Sequence, residues 1–227
     1  MSAKVCFVTG SARRIGASII RKFAEEGYAV LIHVSSSIGA GNELKSELIK
    51  KGMQADLVQA DLSDESQTSD LISRVSEHSF VQQRGGIDVL VHNASVYEQI
   101  PISELNLEAM RFLNRLHVEA PLQLSQGFHH LLSSVQGSIV ALTDTSAGKA
   151  WSELSHYTSS KAGLRQLMFN LAGEFAPHVR VNCVAPGAIL SADWEQEHFD
   201  NIVKTIPLRR SGEPSDIAGA VYFFANS

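Results

Sequence analysis

Short apolar runs alternate with longer stretches of helical periodicity along the chain. The apolar runs are rich in β-branched residues and are predicted strands, at 5–9, 28–33, 55–60, 87–92, 137–143 and 179–184. Between and after them, the spacing of apolar positions predicts helices, at about 14–27, 41–51, 64–79, 103–134, 156–176, 191–206 and 214–226. Such unbroken apolar strands are buried on both faces, and each connection is long enough for a crossover helix. The alternation therefore predicts a doubly wound, parallel α/β sheet.

The composition agrees with one soluble globular unit. The 227 residues are 44% hydrophobic and 19% charged, the balance of an ordinary globular domain, and they suffice for one sizeable core. We therefore predict a single domain over residues 1–227. No apolar run reaches the roughly 18 residues of a membrane span, and no signal peptide is expected at the N-terminus. These observations predict a cytoplasmic protein.

The charge and the cysteines exclude several classes of function. A net charge of -5 disfavours a nucleic acid or an anionic membrane as the main partner. Cys6 and Cys183 are too few and too distant for a disulfide scaffold or a zinc site, and both lie in predicted strands, as inert core residues do. The adjacent His129 and His130 are expected on a solvated helix face, so no metal site is predicted.

A small-residue loop follows the first predicted strand. Residues 9–16 read Thr-Gly-Ser-Ala-Arg-Arg-Ile-Gly. Small residues let the backbone approach a pyrophosphate, and the following helix presents its N-terminal N–H groups to it. Glycines also occur in strand-to-helix turns for purely structural reasons, so the loop alone is weak evidence. Its candidate cofactor contacts are Gly10, Arg13, Arg14 and Ile15.

The second and third strands refine this interpretation toward NADP(H). A site for NAD usually places a carboxylate about 20 residues past the first glycine, where it binds the ribose hydroxyls. Here the segment 33–37 reads His-Val-Ser-Ser-Ser, and we include His33, Ser35 and Ser36 in the cofactor site. Hydroxyl groups together with the nearby cation of Arg13 suit a 2′-phosphate. Asp61, beside Leu62 after the third strand, is a candidate acceptor for the adenine amino group, or alternatively a helix N-cap.

Tyr157 and Lys161 are the candidate proton-transfer groups. They are four residues apart in a predicted helix, so they share one face. An ammonium beside a phenol, with a cationic nicotinamide nearby, is expected to lower the phenol pKa and make it a usable acid or base. The pair occurs by chance in many helices. Its place after the fifth strand, with the phosphate loop after the first, favours a catalytic role.

The order of these motifs resembles the short-chain dehydrogenases/reductases, which have a Rossmann-like fold. The resemblance covers nearly the whole chain and rests on Thr9-Gly10-x-x-x-Arg14-x-Gly16, Asp61, Asn93-Ala94-Ser95, Tyr157-x-x-x-Lys161 and Pro186-Gly187. It implies that Tyr157 is the catalytic acid and that Lys161 also holds the nicotinamide ribose. It further implies that Asn93 and Ala94 shape the cofactor cleft, that the segment from Pro186 and Gly187 to Ile189 contacts the nicotinamide carboxamide, and that the protein is a homotetramer.

Several departures from the common family pattern resemble one branch, the pteridine reductases and bacterial dihydromonapterin reductases. Arg14 replaces a loop glycine, Asp144 stands where a serine is usual thirteen residues before Tyr157, and His117 stands where an asparagine is usual. Ser95 replaces a glycine, and the aromatic Tyr97 follows it. The resemblance implies NADPH-dependent reduction of dihydromonapterin, dihydrobiopterin or dihydrofolate. The implied substrate contacts are Arg14, Ser95, Tyr97, Asp144, Tyr157 and Trp194, and the implied catalytic residues are Asp144, Tyr157 and Lys161.

These residue roles have alternatives. Asp144 would also serve as a cap after the fifth strand, Tyr97 as a surface aromatic, and His117 as a core histidine. The segment 191–199, with Trp194 and Phe199, suits a lid over the substrate or an ordinary amphipathic helix. The proton donor is Tyr157, Asp144 or a water that they hold. At Ser36 the protozoan enzymes of this branch would have a phosphate-binding arginine.

Two other functions stay open at this point. One is reduction of an ordinary carbonyl, either a 3-oxoacyl thioester or a sugar ketone, for which a serine in place of Asp144 would be suitable. The other is an NADP(H)-binding regulator without turnover, for which the Tyr157–Lys161 pair is superfluous. Relatives continue past the last helix into a seventh strand, whereas this sequence stops at Ala225-Asn226-Ser227, so we expect that strand to be missing.

Overall fold

The computed structural model describes residues 2–191 and 196–227, and its centre is a parallel sheet of six strands. The strands are β1 (Val5–Val8), β2 (Ala29–Val34), β3 (Ala55–Gln59), β4 (Val89–His92), β5 (Ser138–Leu142) and β6 (Arg180–Val184). They lie in the order β3-β2-β1-β4-β5-β6, and all neighbours are parallel. The order reverses between β1 and β4, which is the switch point of a doubly wound sheet. The predicted Rossmann-like fold class is confirmed.

Helices cover both faces of the sheet. They are α1 (Arg14–Glu25), α2 (Ile38–Lys50), α3 (Glu65–Ser76), α4 (Ser79–Arg84), α5 (Leu107–Asn114), α6 (Ala120–Ser133), α7 (Ser155–Glu174), α8 (Gln196–Thr205) and α9 (Pro214–Asn226). A π-helical turn, Arg115–Glu119, joins α5 to α6, and a 3₁₀ turn, Thr145–Gly148, precedes α7. No helix among the described residues is long and apolar enough to cross a membrane.

Two predicted helices differ from the observed ones for local reasons. The stretch 64–79 divides into α3 and α4, because the His78 ring accepts a hydrogen bond from the Phe80 N–H and starts a new helix. The stretch 103–134 begins as a helix only after Asn106, whose side chain caps the Ala109 N–H at 2.9 Å. Caps of this kind depend on single polar side chains. The spacing of apolar residues therefore does not predict where these helices begin.

The core has two halves, one on each side of the sheet. Along β1, Val5 and Phe7 face one half, and Cys6 and Val8 face the other. All four side chains are completely buried, which explains why the strand is an unbroken apolar run. Burial raises the pKa of the Cys6 thiol well above its usual value and that of Cys183 to about 11, so both are neutral thiols. Cys6 is a core residue, as predicted, whereas Cys183 in β6 is only partly buried.

The C-terminal helix α9 packs against α1 and is held at its end by β6. The Tyr222 ring of α9 lies 5.4 Å from the Phe23 ring of α1, centroid to centroid. The Arg180 guanidinium in β6 donates to the carbonyls of Phe224 and Ala225, each at 2.7 Å. These are terminal carbonyls that have no partner within the helix, so a cation from the sheet satisfies them.

Three buried histidines make the fold sensitive to acid. Burial is the largest of the effects on the pKa values of these rings. It lowers the pKa of His33 to about 4, that of His92 to about 3 and that of His117 to about 2. Each ring has a pKa near 6.5 when the chain is unfolded. The unfolded chain therefore binds more protons, and the stability present above pH 6.5 is lost as the pH falls toward the folded values. At pH 5 we expect a loss of about 2 kcal/mol for each ring.

This expectation is checked by urea unfolding at pH 7.5 and pH 5. The variant His92→Gln, which removes a buried ring, should show a pH dependence smaller by about 2 kcal/mol than the wild type. The exposed His130→Gln should behave as the wild type does. Equal free energies of unfolding at the two pH values would show that the histidine pKa values do not differ between the folded and the unfolded chain, which would contradict the prediction.

Candidate active site

A large cavity opens at the carboxyl ends of the strands. It has a volume of about 1520 Å³, above the range of about 300–1,000 Å³ for one small-molecule site, so it has room for two ligands together. Every predicted site residue in the described part of the chain lines this cavity. These residues are Gly10, Arg13, Arg14, Ile15, His33, Ser35, Ser36, Asp61, Leu62, Asn93, Ala94, Ser95, Tyr97, Asp144, Tyr157, Lys161, Pro186, Gly187 and Ile189. Trp194 lies outside the described residues.

The loop after β1 is locked to the end of β4. Gly10 has a φ of +60°, and a Cβ there would lie 2.7 Å from the Ala94 Cα, so this position needs glycine. The Asn93 side-chain amide donates to the carbonyls of Thr9 (2.9 Å) and Gly10 (2.8 Å). The Thr9 hydroxyl accepts from the N–H groups of Asn93 and Ala94. Asn93 and Ala94 thus hold this loop in place, and their part in a cofactor cleft stays a prediction.

His33 shapes the same loop from below. Its ring Nδ1 accepts from the Gly10 N–H at 3.0 Å, and its Nε2 donates to the Ala60 carbonyl at 3.1 Å. The side chain is 1% exposed and neutral, so this pattern of bonds defines its tautomer. Both ring nitrogens are in use. His33 therefore supports Gly10 from within the sheet, with no ring nitrogen left to bind a ligand.

Two exposed hydroxyl groups, those of Ser35 and Ser36, directly follow β2. The exposed Arg13 precedes α1, and all three residues line the cavity. Asp61 accepts from the N–H and hydroxyl of Ser63 at 2.9 and 2.7 Å and so forms a turn after β3. The N-cap of α3 is Asp64, so the alternative of Asp61 as a helix cap is wrong.

Arg14 connects the two sides of the cavity. Its backbone has a φ of +54°, a left-handed conformation that costs a non-glycine residue about 1–2 kcal/mol. The side chain reaches across and donates to the carbonyls of Leu190 (3.3 Å) and Ser191 (3.0 Å), which follow β6. The loop that is predicted to bind the pyrophosphate is thus tied to the start of the segment for which a lid and an amphipathic helix were both open. Spacing in the sequence gave no sign of this bond.

Tyr157, Asp144 and Lys161 come together at the centre of the cavity. The Tyr157 hydroxyl donates to Asp144 Oδ2 at 2.9 Å, and Asp144 Oδ1 accepts from the Ser146 N–H at 2.7 Å. Asp144 therefore caps the 3₁₀ turn with one oxygen and contacts the tyrosine with the other, so both interpretations of this residue hold. Lys161 donates to the Leu142 carbonyl at 3.0 Å, with its ammonium 5.8 Å from the centre of the Tyr157 ring.

The electrostatics keep the proton on the tyrosine. Burial first, and the Asp144 carboxylate second, raise the pKa of Tyr157 above its ordinary value, while a hydrogen bond with Ser95 lowers it. The expectation that Lys161 lowers this pKa is wrong for these residues, because burial and the carboxylate outweigh it. Burial lowers the pKa of Lys161 to about 8, and Asp144 acts in the opposite direction. At neutral pH the site therefore contains a neutral phenol beside an ammonium.

Among the residues that the structure describes, two aromatic rings pack against Tyr157. The Tyr97 ring lies 5.0 Å away at an angle of 76° and is partly buried against Tyr157, so the alternative of a surface aromatic is wrong. His117 lies in the π-helical turn, 5.9 Å from the Tyr157 ring, and is 1% exposed. Its Nδ1 donates to the Ser160 hydroxyl at 2.8 Å, and that hydroxyl donates to the Tyr157 carbonyl. His117 is both a core histidine and a support, through Ser160, for the helical turn that carries Tyr157.

Sequence reasoning missed the outer wall of the cavity. Its apolar members from three segments are Phe112, Leu116, Trp151, Leu154, Ile202, Ile206 and Leu208, and Lys149 lies among them. Phe199 of α8 also lines the cavity, so α8 is an amphipathic helix that covers it. The exposed Trp151 in a loop was a signal that could have been noticed, because large aromatics in loops often contact ligands.

The comparisons with known proteins agree with this geometry. The family model of the short chain dehydrogenases matches residues 4–202. The chain belongs to the short-chain dehydrogenase family. An uncharacterized oxidoreductase of Methylorubrum extorquens is 33% identical to it over 233 residues, which cover 100% of this dehydrogenase and 92% of the relative. A 3-oxoacyl-[acyl-carrier-protein] reductase of Staphylococcus epidermidis is 29% identical, with 98% and 91% covered.

One solved relative holds the predicted cofactor. The structure of FolM alternative dihydrofolate reductase 1 from Brucella canis, complexed with NADP, superposes on this dehydrogenase with a TM-score of 0.88 and 30% identity. The match covers 99% of this dehydrogenase and 87% of the FolM chain. The family resemblance is therefore confirmed. The relatives therefore include both a dihydrofolate reductase and a 3-oxoacyl-[acyl-carrier-protein] reductase.

Proposed function

We propose that this short-chain dehydrogenase reduces a dihydropteridine to the tetrahydro form with NADPH. The observation that carries the proposal is the Asp144 carboxylate, 2.9 Å from the Tyr157 hydroxyl. A carboxylate accepts hydrogen bonds, and a pterin presents N–H and amino donors along one edge. A ketone oxygen is itself an acceptor, and a carboxylate beside it would repel it. Asp144 therefore favours a flat, donor-rich substrate over an ordinary ketone.

The cofactor is NADP(H), and the residues of the cavity fit it. The exposed Arg13 cation and the hydroxyls of Ser35 and Ser36 offer donors to a 2′-phosphate, and no carboxylate lies with them on the described end of β2. The left-handed Gly10 and the N-terminus of α1 offer backbone N–H groups to the pyrophosphate. When bound, the reduced nicotinamide supplies a hydride to the carbon of the substrate C=N bond.

The residues of the site supply the proton. The Tyr157 phenol is protonated at neutral pH and shares its hydrogen with Asp144. Delivery of that proton to the ring nitrogen, with the hydride on the adjacent carbon, completes the reduction of the C=N bond. The Lys161 ammonium, held by the Leu142 carbonyl, stabilises the phenolate that is left behind. The Tyr97 ring offers a flat face beside the reacting ring.

A 3-oxoacyl thioester is the second candidate substrate. The apolar outer wall formed by Phe112, Leu116 and Leu154 would suit an acyl chain. The Staphylococcus epidermidis relative is a 3-oxoacyl-[acyl-carrier-protein] reductase. Asp144 separates the two candidates, because an acyl ketone needs a donor at that position.

The test is NADPH consumption with 7,8-dihydrobiopterin and 7,8-dihydromonapterin, beside an acetoacetyl thioester. We expect turnover of the dihydropterins, and Asp144→Ser should lower their kcat/KM about 10- to 100-fold, because it removes hydrogen bonds to a charged group. The Kd of NADPH should be unchanged in this variant. Turnover of the thioester alone would overturn the proposal. Tight NADPH binding with no turnover of any substrate would favour a regulator.

A further inference from the structure

His33 ties together the carboxyl ends of the first three strands. Its Nδ1 accepts from the Gly10 N–H, beyond β1, at 3.0 Å, and its Nε2 donates to the Ala60 carbonyl, beyond β3, at 3.1 Å. Its carbonyl accepts from the Ser11 N–H at 2.9 Å, and its own N–H donates to the Ser11 hydroxyl at 3.1 Å. Three hydrogen bonds therefore connect the start of the loop after β1 to this one residue of β2.

The ring makes both side-chain bonds only as the neutral tautomer with its proton on Nε2. A peptide N–H donates and a carbonyl accepts, so Nδ1 must be unprotonated. The ring is 1% exposed, and burial is the largest of the effects that lower its pKa to about 4. Arg74 acts in the same direction, whereas the Ala60 carbonyl and Asp61 act in the opposite one. Nδ1 therefore remains an acceptor at neutral pH.

We propose that His33 is a positioning residue that holds the Gly10 peptide in place before NADP(H) arrives and so increases the affinity for the cofactor. Gly10 has a φ of +60°, and glycine loses more conformational freedom on ordering than any other residue. A loop that is already ordered has less entropy to lose when its ligand binds. The inference concerns the cofactor alone, so it does not depend on which substrate the enzyme reduces.

Two substitutions isolate the bond to Gly10. His33→Leu removes both side-chain bonds. His33→Asn loses the bond to Ala60 but keeps an acceptor, because its amide oxygen is as many bonds from the backbone as Nδ1. We expect the Kd of NADPH to rise about 5- to 30-fold in His33→Leu, the cost of ordering one residue, and by less than about threefold in His33→Asn.

Val75→Ala is the matched control for a loss of stability. It weakens the buried core under α3 at a position that does not line the cavity, so the Kd of NADPH should be unchanged. Equal Kd values in His33→Leu and His33→Asn would overturn the proposal, because the two variants differ in the acceptor for Gly10. An unchanged Kd in His33→Leu would overturn it as well.

Exchange of the Gly10 amide hydrogen is a readout that global stability does not explain. Gly10 is exposed, yet its N–H should exchange slowly in the wild type and in His33→Asn, and rapidly in His33→Leu. Nitrogen NMR of the wild type, labelled in its histidine rings, tests the proposal without any variant. It should show an unprotonated Nδ1 and a protonated Nε2 for His33 at pH 7.5, and the opposite tautomer or a charged ring would overturn the positioning role.

Discussion

Tyr157→Phe should lower kcat by about a thousandfold while the chain stays folded and binds NADPH. The phenol is the proton donor in the proposed reaction, and a positioned acid contributes about 10²–10⁴-fold. Phenylalanine keeps the ring against Tyr97 and His117 and removes the hydroxyl that donates to Asp144 at 2.9 Å. The loss is therefore in the proton transfer, with little change in packing.

The measurement is the steady-state rate of NADPH oxidation together with the Kd of NADPH. Tyr28→Phe is the matched control, since it removes a phenol that donates to Asn226 at 2.7 Å, remote from the cavity. It should cost about 1 kcal/mol of stability and leave kcat unchanged. A Tyr157→Phe enzyme with kcat within threefold of the wild type would show that the proton comes from Asp144 or from solvent.

Gly16→Ala should weaken NADPH binding at least tenfold and lower the free energy of unfolding by about 1–3 kcal/mol. A Cβ at this position of α1 would lie 2.6 Å from both the Asn93 Nδ2 and the Gly10 carbonyl oxygen, and 2.7 Å from the Ser11 Cα. Two of these atoms belong to the backbone of the phosphate loop. The methyl group can therefore fit only if the loop moves away from its bonds to Asn93.

Titration with NADPH and urea unfolding of the same preparation separate the two effects. Gly219→Ala is the control, because Gly219 lies inside α9 and a Cβ there would meet nothing within 4 Å. This change should stabilise the protein by up to about 1 kcal/mol through helix propensity and leave the affinity for NADPH unchanged. An unchanged NADPH affinity in Gly16→Ala would mean that the loop tolerates displacement.

Features that repeat along the chain could be predicted from the sequence, whereas single contacts between distant residues could not. The strand positions and the parallel sheet follow from the apolar runs, because a strand that is buried on both faces needs an unbroken series of apolar residues. The pairing of Tyr157 with Lys161 follows from helix geometry alone. The splitting of 64–79 depends on one ring, His78, whose bond to the Phe80 N–H leaves no periodic signal.

The electrostatics of the site were the weakest part of the sequence-based prediction. Spacing places Lys161 beside Tyr157, but the direction of the tyrosine pKa depends on burial and on the distance to Asp144. Likewise, Arg14 was expected at the pyrophosphate, and its bonds to carbonyls after β6 join positions 176 and 177 residues apart. Such contacts depend on the order of the strands in the sheet, which brings distant segments together, and on the reach of the side chain between them. The strand order is known only from the folded structure.

The packing of α9 against α1 has a consequence for the synthesis of the protein on the ribosome. Tyr222 of α9 and Glu26, just after α1, form a hydrogen bond 196 positions apart. At about 5–20 residues per second, some 10–40 s separate the synthesis of these two groups. Throughout that interval the apolar side of α1, including Phe23, lacks its final neighbour. The nascent chain therefore exposes an aggregation-prone apolar surface for tens of seconds, and chaperones bind surfaces of this kind.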